Sequence, residues 1–303
     1  MILDACRRVA LPSNGLTERQ QQQYFRDGYT VCPGLLDGAE LTILLAEIDQ
    51  VCGENTLSRH DKSRVEMEPN QKPDGKLVRR IYQPCSYYAP FRRLAESAKL
   101  LDAAEMLIGP NLIFHYSKIN MKPPAIGSVV EWHQDLSYYP LTNNGSVTLL
   151  IYLDDADAEN GCLQVAPARQ DAELLNHMRD GFFTGKIVGP VDESRAVLLE
   201  GKAGTAVFMH CLTPHSSVTN TSSRPRRTLI LSYRAADAFP IYIGKVTDEM
   251  EEYVRLVRGQ PARSARFTFQ QFPIPVQKTK TASLYELQEL SRQDEDQTRH
   301  RRL

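Results

Sequence analysis

The chain has 303 residues, 42% of them hydrophobic and 24% charged, with a formal net charge of −1. That balance suits a soluble globular protein and gives no bulk field to favour nucleic acid or an anionic membrane. No apolar run approaches the roughly 18 residues needed to span a bilayer. MILDACRRVALPSNG lacks the sustained apolar core of a signal peptide, and Arg301-Arg302-Leu303 is not a clear peroxisomal address. The six cysteines form no C-x-x-C pair, which points to reduced thiols and a cytoplasmic protein.

Leu16-Thr17-Glu18 opens a first helix with Thr17 as N-cap. Gly28-Tyr29-Thr30-Val31 reads as a short strand and Pro33-Gly34 as a turn. A second amphipathic helix covers 35–51, starting near Asp37 or Gly38. Residues 53–76 are polar and read as a long loop, of a length that tends to be functional or mobile. A third helix covers 91–108 and ends at Gly109-Pro110. The texture then changes to short β runs at 111–121, 128–133, 147–154, 162–166, 196–200, 205–210 and 227–235, broken by Gly and Pro. Residues 245–260 read as a helix. The tail is helical from about 279, with a strongly polar end that is a candidate for disorder. Helices followed by many short strands imply a double-sheet β-sandwich or jelly roll with helices on one side. One domain is expected over 1–303: a core at about 111–235, a helical N-terminal part at 16–108 and a helical C-terminal part at 245–295.

The chemistry concentrates in Trp132-His133-Gln134-Asp135 and a distant His215. On a strand, His133 and Asp135 would share a face, because side chains alternate with period two. A second imidazole would complete a 2-His-1-carboxylate set, which holds Fe(II) and leaves positions open for co-substrate and oxygen. Taken alone, H-x-D also fits a surface loop. An apolar strand leads into a turn that carries His215, and Arg226 stands at the entry of the next strand, where it could pair with a carboxylate deep in the barrel. His210 competes as third ligand. Only His215 is followed by both Ser217 and Arg226, so His215 is preferred and His210 is expected to be a hydrogen-bonded residue near the barrel rim. His60, His115, His177 and His300 are taken as structural or exposed.

With these segments the chain resembles the phytanoyl-CoA dioxygenase family of Fe(II)/2-oxoglutarate oxygenases, and within it the ectoine-hydroxylase-like branch. The matching pieces are Tyr24 to Tyr29, Lys118 to Pro124, Trp132 to Asp135, Glu159 to Leu163 and His215 to Arg227. The resemblance implies a double-stranded β-helix (jelly roll, cupin-like), mainly β with flanking helices. It implies His133, Asp135 and His215 as iron ligands, and Arg226 and Ser217 on the distal carboxylate of 2-oxoglutarate. Asn120 would be an amide contact to the same co-substrate, with Lys118 beside it. Relatives often follow the E-N-G-C-L strand with Pro-Gly-Ser-His; here it is Pro167-Ala168-Arg169-Gln170, so contacts at the mouth of the site are expected to differ.

The implied reaction uses Fe(II), 2-oxoglutarate and O2, releases succinate and CO2, and oxidises an unactivated C–H bond. Asp135 argues against halogenation, since related halogenases carry a small residue there. Hydroxylation is expected, with desaturation or cyclisation as alternatives by the same iron chemistry. The substrate is expected to be a small organic molecule: natural-product tailoring is one reading, and a fatty acyl-CoA or an amino-acid derivative stays open. Arg59, Arg64, Arg79, Arg80, Tyr82, Tyr87, Tyr88, Ser137, Tyr138 and Tyr139 are candidate contacts, with Tyr138, Tyr139 and Arg80 carried forward. No nucleic-acid or membrane partner is expected, and the protein is expected to be a monomer or homodimer. A non-catalytic jelly-roll binding protein and a zinc hydrolase with the same ligands are the competing classes.

Overall fold

The structure, a computed structural model, describes residues 15–126, 129–241, 251–277 and 283–300. Helix α1 (Glu18–Asp27) starts at a capping box in which Thr17 and Gln20 satisfy each other's backbone N–H groups. It stops at Gly28, whose φ of 78° is the left-handed conformation that glycine adopts without strain. Strand β1 (Tyr29–Cys32) follows. Helix α2 (Gly38–Glu54) has a second capping box, which settles Asp37 as the N-cap with Glu40 as its partner.

Two expectations for the next stretch are corrected. The segment 53–76 holds a strand, β2 (Val65–Met67), and β3 (Val78–Tyr82) comes directly after it. The third helix is three pieces: α3 (Pro84–Tyr87), α4 (Ala89–Ala95) and α5 (Ala98–Ile108). Ser97, extended at φ −68° and ψ 142°, breaks the last two, so the chain turns to follow the curved sheet beneath.

The remaining strands are β4 (Leu112–Lys122), β5 (Val130–His133), β6 (Ser146–Tyr152), β7 (Leu163–Val165), β8 (Met178–Arg179), β9 (Phe182–Phe183), β10 (Val197–Leu199), β11 (Ala206–His210), β12 (His215–Ser217), β13 (Arg226–Ala235) and β14 (Arg255–Arg258). A long C-terminal helix, α6 (Leu284–His300), closes the order. The helix expected at 245–260 is not formed over its described part: 255–258 is a strand on the edge of β4. Residues 245–250 lie outside the described residues. The polar tail continues the helix through His300.

The larger sheet runs β1-β11-β6-β13-β4-β3-β2, with β14 also on β4; the smaller runs β10-β7-β12-β5. They face each other as the two walls of a jelly roll, and alternation along the strands of the larger sheet divides the core in two. Leu149, Ile151, Phe208, Leu229 and Leu231 point outward and bury against Leu44, Ile48, Phe91, Leu100 and Leu101 of the helices. Leu150, Tyr152, Val207, Met209 and Ile230 point inward and meet Leu163, Val165 and Leu199 of the smaller sheet. Each fully buried Leu or Ile contributes about 1.5–3 kcal/mol of transfer free energy. The inward core stops where β4, β6 and β13 carry polar residues, and there the site opens.

Candidate metal and co-substrate site

His133 is the last residue of β5 and His215 the first of β12, and the two strands pair with these residues opposite each other. Their ring centroids are 4.0 Å apart. His133 Nδ1 lies 2.8 Å from the Glu131 carbonyl and His215 Nδ1 lies 3.0 Å from the Thr213 carbonyl. A carbonyl accepts only, so each Nδ1 carries the proton and each Nε2 keeps its lone pair for a ligand. Burial pushes both imidazoles below their usual pKa; the neighbouring His215 adds to this at His133, and Asp135 opposes it at His215. Both are therefore neutral, the form a metal requires.

Asp135 reaches the same point by a different route from the one its spacing suggested. β5 ends at His133, and Asp135 opens a single 3-10 turn, Asp135–Ser137. Its Oδ1 lies 3.9 Å from His133 Nε2 and 3.7 Å from His215 Nε2. Thr148 Oγ1 donates to the other oxygen, Oδ2, at 2.7 Å and in turn lies 3.1 Å from Ser232 Oγ. Gln134 makes the turn rigid. Its backbone N–H donates to His177 Nε2 at 3.1 Å, and its side chain bonds the carbonyls of Leu212 and Glu173 and the N–H of Leu175. His215 likewise sits on a strand rather than in a turn.

Ligand atoms of His133, Asp135 and His215 all lie within 4.8 Å of one another, and among the described residues no other such group of His, Cys, Asp and Glu occurs. Two neutral imidazoles and one carboxylate on one side of a cavity fit a divalent first-row metal with open positions. His210 is elsewhere: it ends β11 buried against the Tyr24 ring, and its Nδ1 accepts from the Leu212 N–H at 3.3 Å.

The three side chains line a cavity of about 610 Å3, its open mouth included, between the two sheets. At one end Arg226 is buried, with Nη1 donating to Thr228 Oγ1 at 2.7 Å and Nη2 donating to the Gly161 carbonyl. Its Nε is buried with no partner. Burial lowers its pKa, and among the described residues no carboxylate stands within ion-pair distance. A buried guanidinium without a counter-ion is costly, so this end is built for an anion that the protein does not itself supply. Ser217, Asn120 and Lys118 line the same cavity. Arg80 Nε donates to Asn120 Oδ1 at 3.1 Å, which leaves the Asn120 amide NH2 as the donor for a ligand.

The substrate candidates divide. Tyr139 lines the cavity. Tyr138 does not: its ring packs edge-on against His133 and Phe183 and its hydroxyl donates to the Gly185 carbonyl, so it steadies the ligand from behind. Arg80 is also behind the wall, under Asn120 and against the Tyr82 and Tyr285 rings. No residue of 53–90 borders the cavity; Arg64 stacks on Tyr87 and Arg79 pairs with Glu68. Residues 167–170 do not border it either, and the Ala168 N–H donates to the Asp27 carbonyl beside Gly28. Thr148 was not singled out in the sequence, since it belongs to no ligand-type pattern, and Gly161 stood there only within the Glu159 to Leu163 segment, with no role given to it.

Comparison with known proteins agrees with the geometry. The family model described as phytanoyl-CoA dioxygenase (PhyH) matches residues 24–228. A probable alpha-ketoglutarate-dependent hypophosphite dioxygenase of Stutzerimonas stutzeri is 32% identical over 229 residues, 73% of this chain and 80% of that protein. An ectoine dioxygenase of Bordetella parapertussis (strain 12822) is 26% identical over 244 residues, 74% of this chain and 77% of that protein. The crystal structure of EctD from S. alaskensis with 2-oxoglutarate and 5-hydroxyectoine shares the fold, with a TM-score of 0.60, 22% identity and coverage of 88% of both chains. The chain belongs to the phytanoyl-CoA dioxygenase family, and is a dioxygenase that works with Fe(II), 2-oxoglutarate and O2.

Proposed function

We propose that the protein hydroxylates an unactivated C–H bond of a small organic molecule, with His133, Asp135 and His215 as iron ligands. The observation that carries this reading is the coincidence, in one cavity, of that ligand set with a buried Arg226 that lacks a counter-ion among the described residues. Iron with 2-oxoglutarate supplies the oxidising power, the co-substrate leaving as succinate and CO2. Arg226 and Ser217 hold the distal carboxylate of 2-oxoglutarate, and the Asn120 amide and Lys118 border its chain. Thr148 orients Asp135 so that one carboxylate oxygen faces both imidazoles. Asp135 would occupy the position that a halide would have to take, which favours hydroxylation over halogen transfer. Leu150, Leu163 and Ile230 keep the cavity wall apolar and exclude water from the reacting carbon.

One catalytic domain is part of this reading. It is supported by the larger sheet, which takes strands from both the helical N-terminal part and the C-terminal part. The partner is a small molecule; neither nucleic acid nor membrane is required, and a monomer or homodimer would suffice. No helix among the described residues is long and apolar enough to cross a membrane. Cys32, Cys52, Cys85, Cys162 and Cys211 are free thiols, in keeping with a cytoplasmic setting.

The test is anaerobic addition of Fe(II) and 2-oxoglutarate. A weak visible charge-transfer band is expected, and Asp135→Ala should abolish it. No band, together with no succinate formed in air, would sink the oxygenase role for these residues.

A further inference from the structure

Strand β5, which ends on His133, is the outermost strand of the smaller sheet: the order β10-β7-β12-β5 gives it β12 on one side only. An edge strand keeps unpaired backbone groups on its other side, and burial requires that something meet them. Two segments do. The Ile187 N–H donates to the Trp132 carbonyl at 2.7 Å. The C-terminal helix α6 meets the residue before. Gln288 Oε1 accepts from the Glu131 N–H at 3.2 Å, and Arg292 Nη1 donates to the Glu131 carboxylate at 2.6 Å.

α6 lies beyond residue 228, where the match to the family model ends. Its buried face is made by Tyr285, Gln288 and Ser291, spaced by three residues as one side of a helix requires, with Leu287 beside them. Tyr285 docks the start of the helix, its ring 4.8 Å from the guanidinium carbons of both Arg79 and Arg80. Ser291 Oγ donates to the Thr184 carbonyl at 2.9 Å. A leucine at the centre of this face would bury as much apolar surface. Gln288 stands there instead, 0% exposed, with both ends of its amide in use: Nε2 donates to the Gly185 carbonyl at 2.6 Å. A buried, satisfied amide is directional, so it fixes the position of the groups that it bonds.

Both partners of Gln288 bear on His133. The Glu131 carbonyl takes the His133 Nδ1–H at 2.8 Å, which turns Nε2 toward Asp135. The Gly185 carbonyl also accepts from the Tyr138 hydroxyl, and the Tyr138 ring lies edge-on to the His133 imidazole at 5.5 Å. One side chain of α6 thus grips the backbone that holds the imidazole by its nitrogen and the backbone that holds it by its face.

We propose that α6 is a strap that sets the iron centre from outside the barrel, with Gln288 as a positioning residue for His133. Gln288 acts through Glu131 and Gly185, and Arg292 adds a second, weaker grip on Glu131. The proposal rests on reading His133 as an iron ligand and deepens that reading: the aim of one ligand is decided by a helix some 150 residues further along the chain.

The experiment uses the full chain and measures two affinities under anaerobic conditions. Fe(II) alone is titrated calorimetrically into the apoprotein, and 2-oxoglutarate is titrated into the iron-saturated protein by its charge-transfer band. Gln288→Met keeps the volume and removes both hydrogen bonds. It should weaken Fe(II) binding roughly tenfold or more, as the loss of a group that orients a metal ligand does. Affinity for 2-oxoglutarate at saturating iron should change little, since Arg226 and Ser217 are untouched. A helix that only braces the fold would lower the urea midpoint and leave Fe(II) affinity in the folded protein as it was. A folded Gln288→Met that binds Fe(II) as the wild type does therefore overturns the proposal, and so do equal losses for Fe(II) and 2-oxoglutarate. If Gln288→Met does not fold, Arg292→Met decides. That side chain is 33% exposed, and its removal should weaken Fe(II) binding roughly two- to fivefold; unchanged affinity there overturns the proposal. The wild type separates the two readings. No charge-transfer band in it means that the oxygenase assignment fails, whereas a normal band with unaltered Fe(II) affinity in the variants overturns the strap alone.

Discussion

His133 and His215 stand opposite each other on paired strands, and both turn Nε2 toward a single oxygen of Asp135, at 3.9 and 3.7 Å. The β ladder fixes the two imidazoles, while the carboxylate hangs from a turn and depends on Thr148 for its orientation. Thr148→Val keeps the shape and removes that hydrogen bond. It should weaken Fe(II) binding about 10–100-fold, the usual cost of losing a group that orients a metal ligand. Equilibrium metal titration under anaerobic conditions checks this, and unchanged affinity would show that Asp135 needs no support.

Among the described residues Arg226 has neither a counter-ion nor a partner for its Nε. Arg226→Met should cost about 2–5 kcal/mol in 2-oxoglutarate affinity, read from titration of the charge-transfer band. Arg226→Lys should recover little, because a lysine cannot present the same planar fork. Iron binding should persist in both variants.

Gly161 adopts φ 74°, and a Cβ there would collide with the Val218 carbonyl oxygen. Its own carbonyl accepts from Arg226 Nη2. Gly161→Ala should destabilise the fold by about 1–3 kcal/mol and raise the KM for 2-oxoglutarate, since the guanidinium loses its anchor. Chemical denaturation and steady-state kinetics would show the paired effect; a change in one alone would separate the glycine from the arginine.

Acid stability should carry the mark of His210. Burial holds its pKa at about 4, against an ordinary 6.5. Between these values the unfolded chain binds the proton and the folded chain does not, so stability falls as pH drops from 6.5 to 4 and levels off below. The full loss is roughly 3 kcal/mol for this one group. His210→Gln should flatten that part of the pH–stability curve, measured by urea denaturation at several pH values.

The ligand set was legible in the sequence because chemistry restricts it to few residue types, and because Ser217 and Arg226 follow His215 at fixed spacing. The strand argument that first linked His133 to Asp135 names a pair that the structure brings together, but by a 3-10 turn and not by a shared strand face. Strand placement in the core was readable from short β-prone runs divided by Gly and Pro. The strand at 255–258 was not, because Arg255-Leu256-Val257-Arg258 is too short to show a period and is defined by the β4 edge it meets. Tyr138 and Arg80 were misplaced as substrate contacts for a related reason. Both lie next to cavity residues in chain or register, and which face a side chain takes is decided by packing partners far away in sequence.

Strand β4 pairs Tyr116 with Ser232 and Phe114 with Tyr233, so His115 is one residue more than β13 supplies, and β4 becomes a strand of two halves. On one side of His115, Tyr116 to Lys122 hold their register against β13 and furnish the co-substrate end; on the other, Leu112 to Phe114 pair with β14 and the far end of β13. A change that reshapes the far half stops at the bulge instead of shifting every side chain down to Arg226. The far half can therefore be rebuilt while the cavity half keeps its register, as a lathe takes a new chuck without its spindle being moved.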